Sequence, residues 1–240
     1  YPTTSGAYQI NYSNNMGGTD IGITKYDTSG TSRIYSTYLG GNMDELPHSM
    51  IVNNLNELFV FGTTGSDDFP TTPGCYNDTF SGGSGFSPSG LGVSFPNGSD
   101  IIVSRISSNG GVLLSSTYLG GSGNDGLNTS QKLKRNYADE VRGEIDIDKN
   151  NNVYLATCTY STDFPITNSF QKTHNGQQEG CVLKLDNQLS TLIWSSFLGG
   201  SRDDAVYSLA IDKNDNVFLT GGTNSYNFPS SSNAFQSDYQ

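Results

Sequence analysis

Residues 36–41 read Ser-Thr-Tyr-Leu-Gly-Gly, residues 116–121 read the same, and residues 195–200 read Ser-Ser-Phe-Leu-Gly-Gly. The copies stand about 80 residues apart. A second phrase follows each: Asp68-Phe69-Pro70, Asp163-Phe164-Pro165 and Asn227-Phe228-Pro229. Tyr1-Pro2-Thr3-Thr4 matches Phe69-Pro70-Thr71-Thr72 and reads as the tail of one more copy. A period of this length means repeated supersecondary units, none of which can bury its apolar surface alone.

The pattern inside a unit is that of short strands. Residues 208–212 (Ser-Leu-Ala-Ile-Asp) read as a short strand with an apolar centre, and residues 213–216 as a polar turn. Residues 217–221 (Val-Phe-Leu-Thr-Gly) form the returning strand, and residues 148–152 and 153–157 repeat the turn and the return. Asn and Asp suit such turns because they accept left-handed backbone and bond their own chain. Residues 21–26, 101–106 and 181–185 read as a third strand, and residues 193–198 as a fourth that ends at Gly-Gly. Gly, Ser, Thr and Asn are abundant while Ala, Glu and Lys are scarce, which disfavours helix. Four short antiparallel strands per unit, stacked radially, are the blades of a β-propeller. The fold class expected is all-β: a partial propeller of two full blades plus two half blades. Its segments are 1–41 (half blade), 42–121 (blade), 122–200 (blade) and 201–240 (half blade). Half a blade at each end leaves open sheet edges, which invite pairing with another chain.

Alignment of the units marks two insertions. One runs from Gly82 to Gly98 and is rich in Gly, Ser and Pro. The other is placed at 122–138 and carries Lys132, Lys134 and Arg135. Both are expected as loops on one rim. The joint order Tyr-Leu-Gly-Gly, Asp-Asp, Ala-Ile-Asp, Asn-Val-Phe-Leu-Thr-Gly and Phe-Pro resembles the bacterial β-propeller repeat called SBBP. The resemblance covers nearly all of the chain outside the insertions. It departs from the pattern at Asp146 and Cys158, where the third unit has Ala210 and Gly222. The resemblance implies a secreted or cell-surface protein of the Bacteroidetes type, exported by the type IX pathway. The chain begins at Tyr1 and is expected to be a fragment or a processed product.

Charge narrows the partners. The formal net charge is −11 and the isoelectric point about 4.3. A polyanion does not suit a phosphate-binding surface, so nucleic acid is excluded. No run approaches the length of a membrane helix. The partners expected are a protein, or the remaining blades of the same protein, or a glycan. Three cysteines (Cys75, Cys158, Cys181) allow at most one bridge, and the simpler reading takes all three as small buried hydrophobes.

Candidate sites follow from the repeat. The acidic pairs Asp44-Glu45, Asp139-Glu140 and Asp203-Asp204 align at one position of the unit. They are candidate calcium ligands. A structural role is preferred, in which they accept backbone N–H bonds and tie neighbouring blades. The runs 146–152 and 212–216 are similar in spacing to a calcium loop but lack its glycine and its bidentate Glu, so they read as turns. His48 and His174, the two histidines, show no metal-ligand spacing. No catalytic residue and no cofactor is assigned. The function expected is a non-catalytic binding, scaffold or adhesion module. One alternative is a polysaccharide-acting glycosidase or lyase using carboxylates such as Asp203, Asp204 or Glu144. The other is a subunit of a surface secretion or gliding assembly.

Overall fold

A computed structural model describes residues 1–13, 18–88, 90, 92–135 and 137–237. Positions 14–17 of the opening segment, 89 and 91 of the first insertion, 136 of the second and 238–240 of the closing segment lie outside the described residues. Twelve strands are described. They are β1 (Ile21–Tyr26), β2 (Arg33–Leu39), β3 (Glu45–Val52), β4 (Leu58–Thr64), β5 (Asp100–Ile106) and β6 (Leu113–Leu119), then β7 (Glu144–Ile147), β8 (Val153–Thr159), β9 (Glu179–Leu185), β10 (Leu192–Leu198), β11 (Asp204–Ile211) and β12 (Val217–Thr223). The one helical element among the described residues is a 3-10 segment, Tyr137–Val141. The strands form four antiparallel sheets in the orders β1-β2, β3-β4-β5-β6, β7-β8-β9-β10 and β11-β12. This is an all-β, propeller-like arrangement.

The sheets stack face to face in chain order, with a core at each interface. Alternation along the strands sets this up. In β4, Leu58 and Val60 point to the first sheet, where they meet Ile21, Ile23, Tyr35 and Leu39. Phe59 and Phe61 point the other way and meet Ile145, Val153 and Leu155 of the third sheet. In turn, Tyr154, Ala156 and Val182 pack against Val206 and Leu209 of the fourth. Strands covered on both faces read as near-continuous apolar runs, and every residue of β4 and β8 is buried. The terminal strand β12 is covered on one face, and none of its residues is fully buried.

Repeated polar geometry fixes the connections. The inner turns are closed by Asn53, Asp148 and Asp212, whose Oδ1 atoms accept from the backbone N–H groups two and four residues on. The fourth residue of each turn, Asn56, Asn151 or Asp215, has positive φ, as Asx residues tolerate. The runs 146–152 and 212–216 therefore contain these turns. Thr4 and Thr72 donate from their backbone to the carbonyls of Ser36 and Ser116 at 3.0 and 3.2 Å. The first residues thus run along β2 as the Phe-Pro segment runs along β6.

One boundary needs correction. Residues 122–125 are not an insertion. Asp125 stands four residues after Gly121, as Glu45 follows Gly41 and Asp204 follows Gly200, and Asp125 bridges to Thr159 as Glu45 pairs with Thr64. The extra residues lie between Asp125 and Glu144, where the chain leaves the innermost strand and returns to it. That is why β7 has 4 residues while β3 and β11 have 8. The three cysteines are free. Cys158 and Cys181 are buried, and burial pushes the Cys158 thiol up to about 12.

Candidate functional site

Each Leu-Gly-Gly ends a fourth strand and turns into a carboxylate node. At the first, Gly41 N–H donates to Glu45 Oε2 at 3.1 Å, while Thr64 and Ser66 hydroxyls donate to Glu45 Oε1 at 2.7 and 2.5 Å. At the second, Asp125 accepts from Gly121 N–H at 2.9 Å, from Ser161 Oγ at 2.8 Å and from Thr159 Oγ1. At the third, Asp204 Oδ2 accepts from Gly200 N–H and Ser225 Oγ, both at 2.7 Å. The residue before the Phe-Pro phrase closes each node. Asp68, Asp163 and Asn227 accept from the N–H groups of Asn42, Ser122 and Ser201 at 2.8, 2.8 and 2.9 Å. A Cβ on Gly41 or Gly121 would sit 2.5 Å from Asp68 or Asp163, so these positions admit only glycine without a shift. The node also joins sheets: Glu45, Asp125 and Asp204 donate their own N–H to the carbonyls of Thr19, Ser99 and Gln178 at 2.7, 2.8 and 2.8 Å.

A second carboxylate stands on the other side of each first glycine. A Cβ on Gly40 would meet both Glu45 and Asp20; on Gly120, Asp100 and Asp125; on Gly199, Asp204 and Glu179. Asp100 accepts from the N–H groups of Ser81 and Gly82, and Glu179 from those of Asn175 and Gly176. Burial pushes Glu45, Asp100 and Asp125 up to about 7, and the neighbouring carboxylate adds to the rise at Glu45 and Asp125. Burial also raises Asp20 and Glu179. Asp20, Asp100 and Glu179 escape a reading of acidic pairs because each is a single acid beside the start of a third strand.

The six calcium candidates therefore divide. Asp44 and Glu45, and Asp203 and Asp204, occupy equivalent positions. Asp44 accepts from Thr19 Oγ1 at 2.7 Å and Ser94 N–H at 2.6 Å, and Asp203 from Ser130 Oγ at 2.6 Å. Asp139 and Glu140 do not share that position. They lie on the 3-10 segment inside the insertion, where Asp139 pairs with Arg142 at 2.7 Å and Glu140 with Lys134. The equivalent of the other two pairs is Asn124-Asp125. Among the described residues no three His, Cys, Asp or Glu side chains converge as a metal site would require. Of the alternative catalytic carboxylates, Asp204 is fully buried in its node, and Glu144 accepts from Ser49 across the interface between β3 and β7. His48 packs edge-on against Phe61 at 4.9 Å, and His174 against Phe197 at 5.3 Å.

The two insertions, remote in sequence, meet. Val93, Phe95 and Leu127 form a small core of their own, flanked by Leu46, Phe86 and Val141, and Phe86 stacks on Phe95 at 5.2 Å. Between them lies a cup of about 320 Å³ whose lining includes Phe86, Asn124, Gln131, Lys134, Glu140 and Tyr160. Tyr160 accepts from Thr129 Oγ1 at 2.9 Å, which fixes its ring at the wall. An aromatic wall opposed by amide and charged groups can hold a polar ligand with apolar faces.

Residues 193–229 match the family model of the SBBP β-propeller repeat. That stretch spans β10, the third node, β11 and β12, with the Phe228-Pro229 phrase at its end. No curated protein matches the chain. An all-β chain of antiparallel sheets that carries this repeat is a β-propeller-like module.

Proposed function

We propose that this chain is an arc of a β-propeller, two whole blades between two half blades, working without catalysis as a binding or scaffold module of a secreted or cell-surface protein. The observation that carries the reading is the division of labour among polar residues. The carboxylates that recur in every unit are buried and engaged by the chain's own N–H and hydroxyl groups, as architecture requires. The residues that the repeat does not need, those of the two insertions, meet at one cup. Loops added to a rigid scaffold are where recognition is placed. A glycan or an exposed protein loop has the mixed apolar and hydrogen-bonding character of that lining.

The test is a binding screen against glycans and surface proteins with the intact chain and a Tyr160→Ala variant. Binding lost in the variant, with its melting temperature kept within a few degrees, supports the cup as the recognition site. Turnover of a polysaccharide that is abolished by a single carboxylate-to-amide change would replace this reading with an enzymatic one. The open edges of the first and fourth sheets favour a second role, as one subunit of a surface assembly.

A further inference from the structure

The residue before each node acid meets the residue after each second-strand threonine at the junction between sheets. Gly65, Tyr160 and Asn224 donate their N–H groups to the carbonyls of Asp44, Asn124 and Asp203 at 2.9, 2.9 and 3.1 Å. The fold thus repeats one station three times along the rim. The first station is plugged by the first insertion: Ser94 N–H bonds Asp44 Oδ2 at 2.6 Å, and a Cβ on Gly65 would stand 2.9 Å from the buried Phe95 ring. The second station is the Tyr160 cup. The third is a hollow of about 270 Å³ whose lining includes Lys132, Gln177, Arg202, Asp203 and Asn224.

The second insertion forms the wall between the cup and the hollow, and its residues alternate sides. Thr129 Oγ1 donates to Tyr160 at 2.9 Å, and Ser130 Oγ donates to Asp203 at 2.6 Å. Gln131 lines the cup and Lys132 the hollow. Buried Gln178 pins this wall. Its Oε1 accepts from the N–H groups of Thr129 and Ser130 at 3.0 and 3.3 Å, and its Nε2 donates to Asn128 Oδ1 and the Asp204 carbonyl at 2.9 and 3.1 Å. The two sites are therefore fixed neighbours on adjoining junctions, and packed sheets stand about 10 Å apart.

Their chemistry differs. In the cup, Phe86 and Tyr160 offer aromatic surface, and Glu140 is fully buried. Lys134 pairs with Glu140 Oε1, while Oε2 has no hydrogen-bond partner. A buried acceptor left without a donor is what a ligand hydroxyl satisfies. In the hollow, Lys132 and Arg202 make no ion pair among the described residues, and the Arg202 guanidinium lies 4.1 Å from the Tyr226 ring. Two cations beside the single carboxylate of Asp203 leave this spot net positive on a chain of net charge −11. A ligand carboxylate gains charge-assisted hydrogen bonds there.

We infer that the cup and the hollow are adjacent subsites for one acidic polysaccharide chain. One sugar ring lies against Phe86 and Tyr160 with a hydroxyl directed at Glu140, and the carboxylate of a nearby uronate ring lies between Lys132 and Arg202. A sugar ring combines an apolar C–H face with hydroxyl edges, which is the mixed character of the cup. Stations that the fold repeats suit a ligand that is itself repetitive, as a protein loop is not. This inference deepens the binding reading and rests on it.

The experiment is calorimetric titration of the intact chain with uronate-bearing oligosaccharides, from disaccharides to octasaccharides, and with the same compounds after reduction of their carboxylates to alcohols. Affinity should rise with length until both subsites are spanned. The carboxylate form should bind about tenfold tighter than the reduced form, and Lys132→Ala with Arg202→Ala, both exposed side chains, should erase that preference. Tyr160→Ala should weaken both forms. Equal binding of the two forms overturns the inference, as does a preference that survives the loss of Lys132 and Arg202, or an absence of binding to every oligosaccharide. A surface protein whose binding needs Tyr160 but neither Lys132 nor Arg202 also overturns it and leaves the binding reading standing. That reading itself falls if no glycan and no protein binds in a Tyr160-dependent way.

Discussion

The second and fourth sheets use the same inner-hairpin plan in different settings. Phe59 of β4 and Phe218 of β12 occupy one position of the repeat, yet the first is sealed between sheets and the second faces solvent. The third sheet repeats the first case with Tyr154. The node at the base of each hairpin keeps its glycine N–H and serine hydroxyl bonds in all three, and the threonine hydroxyl joins at Glu45 and Asp125. The polar framework thus recurs from one junction of sheets to the next whatever covers the hairpin, while the burial of the aromatic depends on a further sheet on its other side.

The sharpest break in that comparison is truncation of the shared aromatic. Phe59→Ala and Tyr154→Ala should each cost about 3–5 kcal/mol. Phe218→Ala should change the stability of the monomer by no more than about 0.5 kcal/mol. Denaturant titrations of the three variants at low concentration measure this. Next in size is the node itself. Asp125→Ala strands Gly121 N–H and two buried hydroxyls and should cost about 1–3 kcal/mol, read in the same titration.

Acidity gives a third test. Glu45, Asp100 and Asp125 are held near 7 by burial, above the ordinary carboxylate range. The folded state therefore binds their protons more tightly than the unfolded chain does. Their contribution is fully present below about pH 4 and is lost as pH rises through about 7. The melting temperature should fall between pH 5 and pH 8, and Asp125→Asn should flatten that fall. Acids of the inner turns oppose it at the low end. Hydrogen bonds, from Asn152 and Lys184 at Asp148 and from Asn216 at Asp212, hold these two carboxyls below their ordinary value, so their contribution is lost as pH drops below about 4. The smallest effect concerns the ring-covering cations. Lys184→Ala, which removes a partly buried ion pair and a ring contact, should cost about 0.5–1 kcal/mol. Lys25→Ala should cost nothing measurable in a monomer, as thermal melts would show.

Much of this was legible in the repeat. Strand positions, turn chemistry and the Phe-Pro segment follow from period and composition, because the same backbone hydrogen bonds recur in every unit. The second node was not. The pair Asp139-Glu140 looks like Asp203-Asp204, and its likeness drew the alignment past Asn124-Asp125. The decisive signal was spacing, four residues from the second glycine. The partner carboxylates Asp20, Asp100 and Glu179 were missed because proximity to a glycine of another strand leaves no trace in local sequence. The cup was invisible for the same reason, since Phe86 and Tyr160 belong to different units.

The interruption of the third sheet has a practical corollary. Between the Asp125–Thr159 bridge and the Glu144–Ala156 pair, the chain departs from the innermost strand and rejoins it in the same register. Both anchors keep the register of the repeat, so the excursion is an addition to the innermost strand and not a replacement for it. That seam is where new sequence can be grafted, by evolution or by an engineer, without teaching the rest of the molecule to fold again.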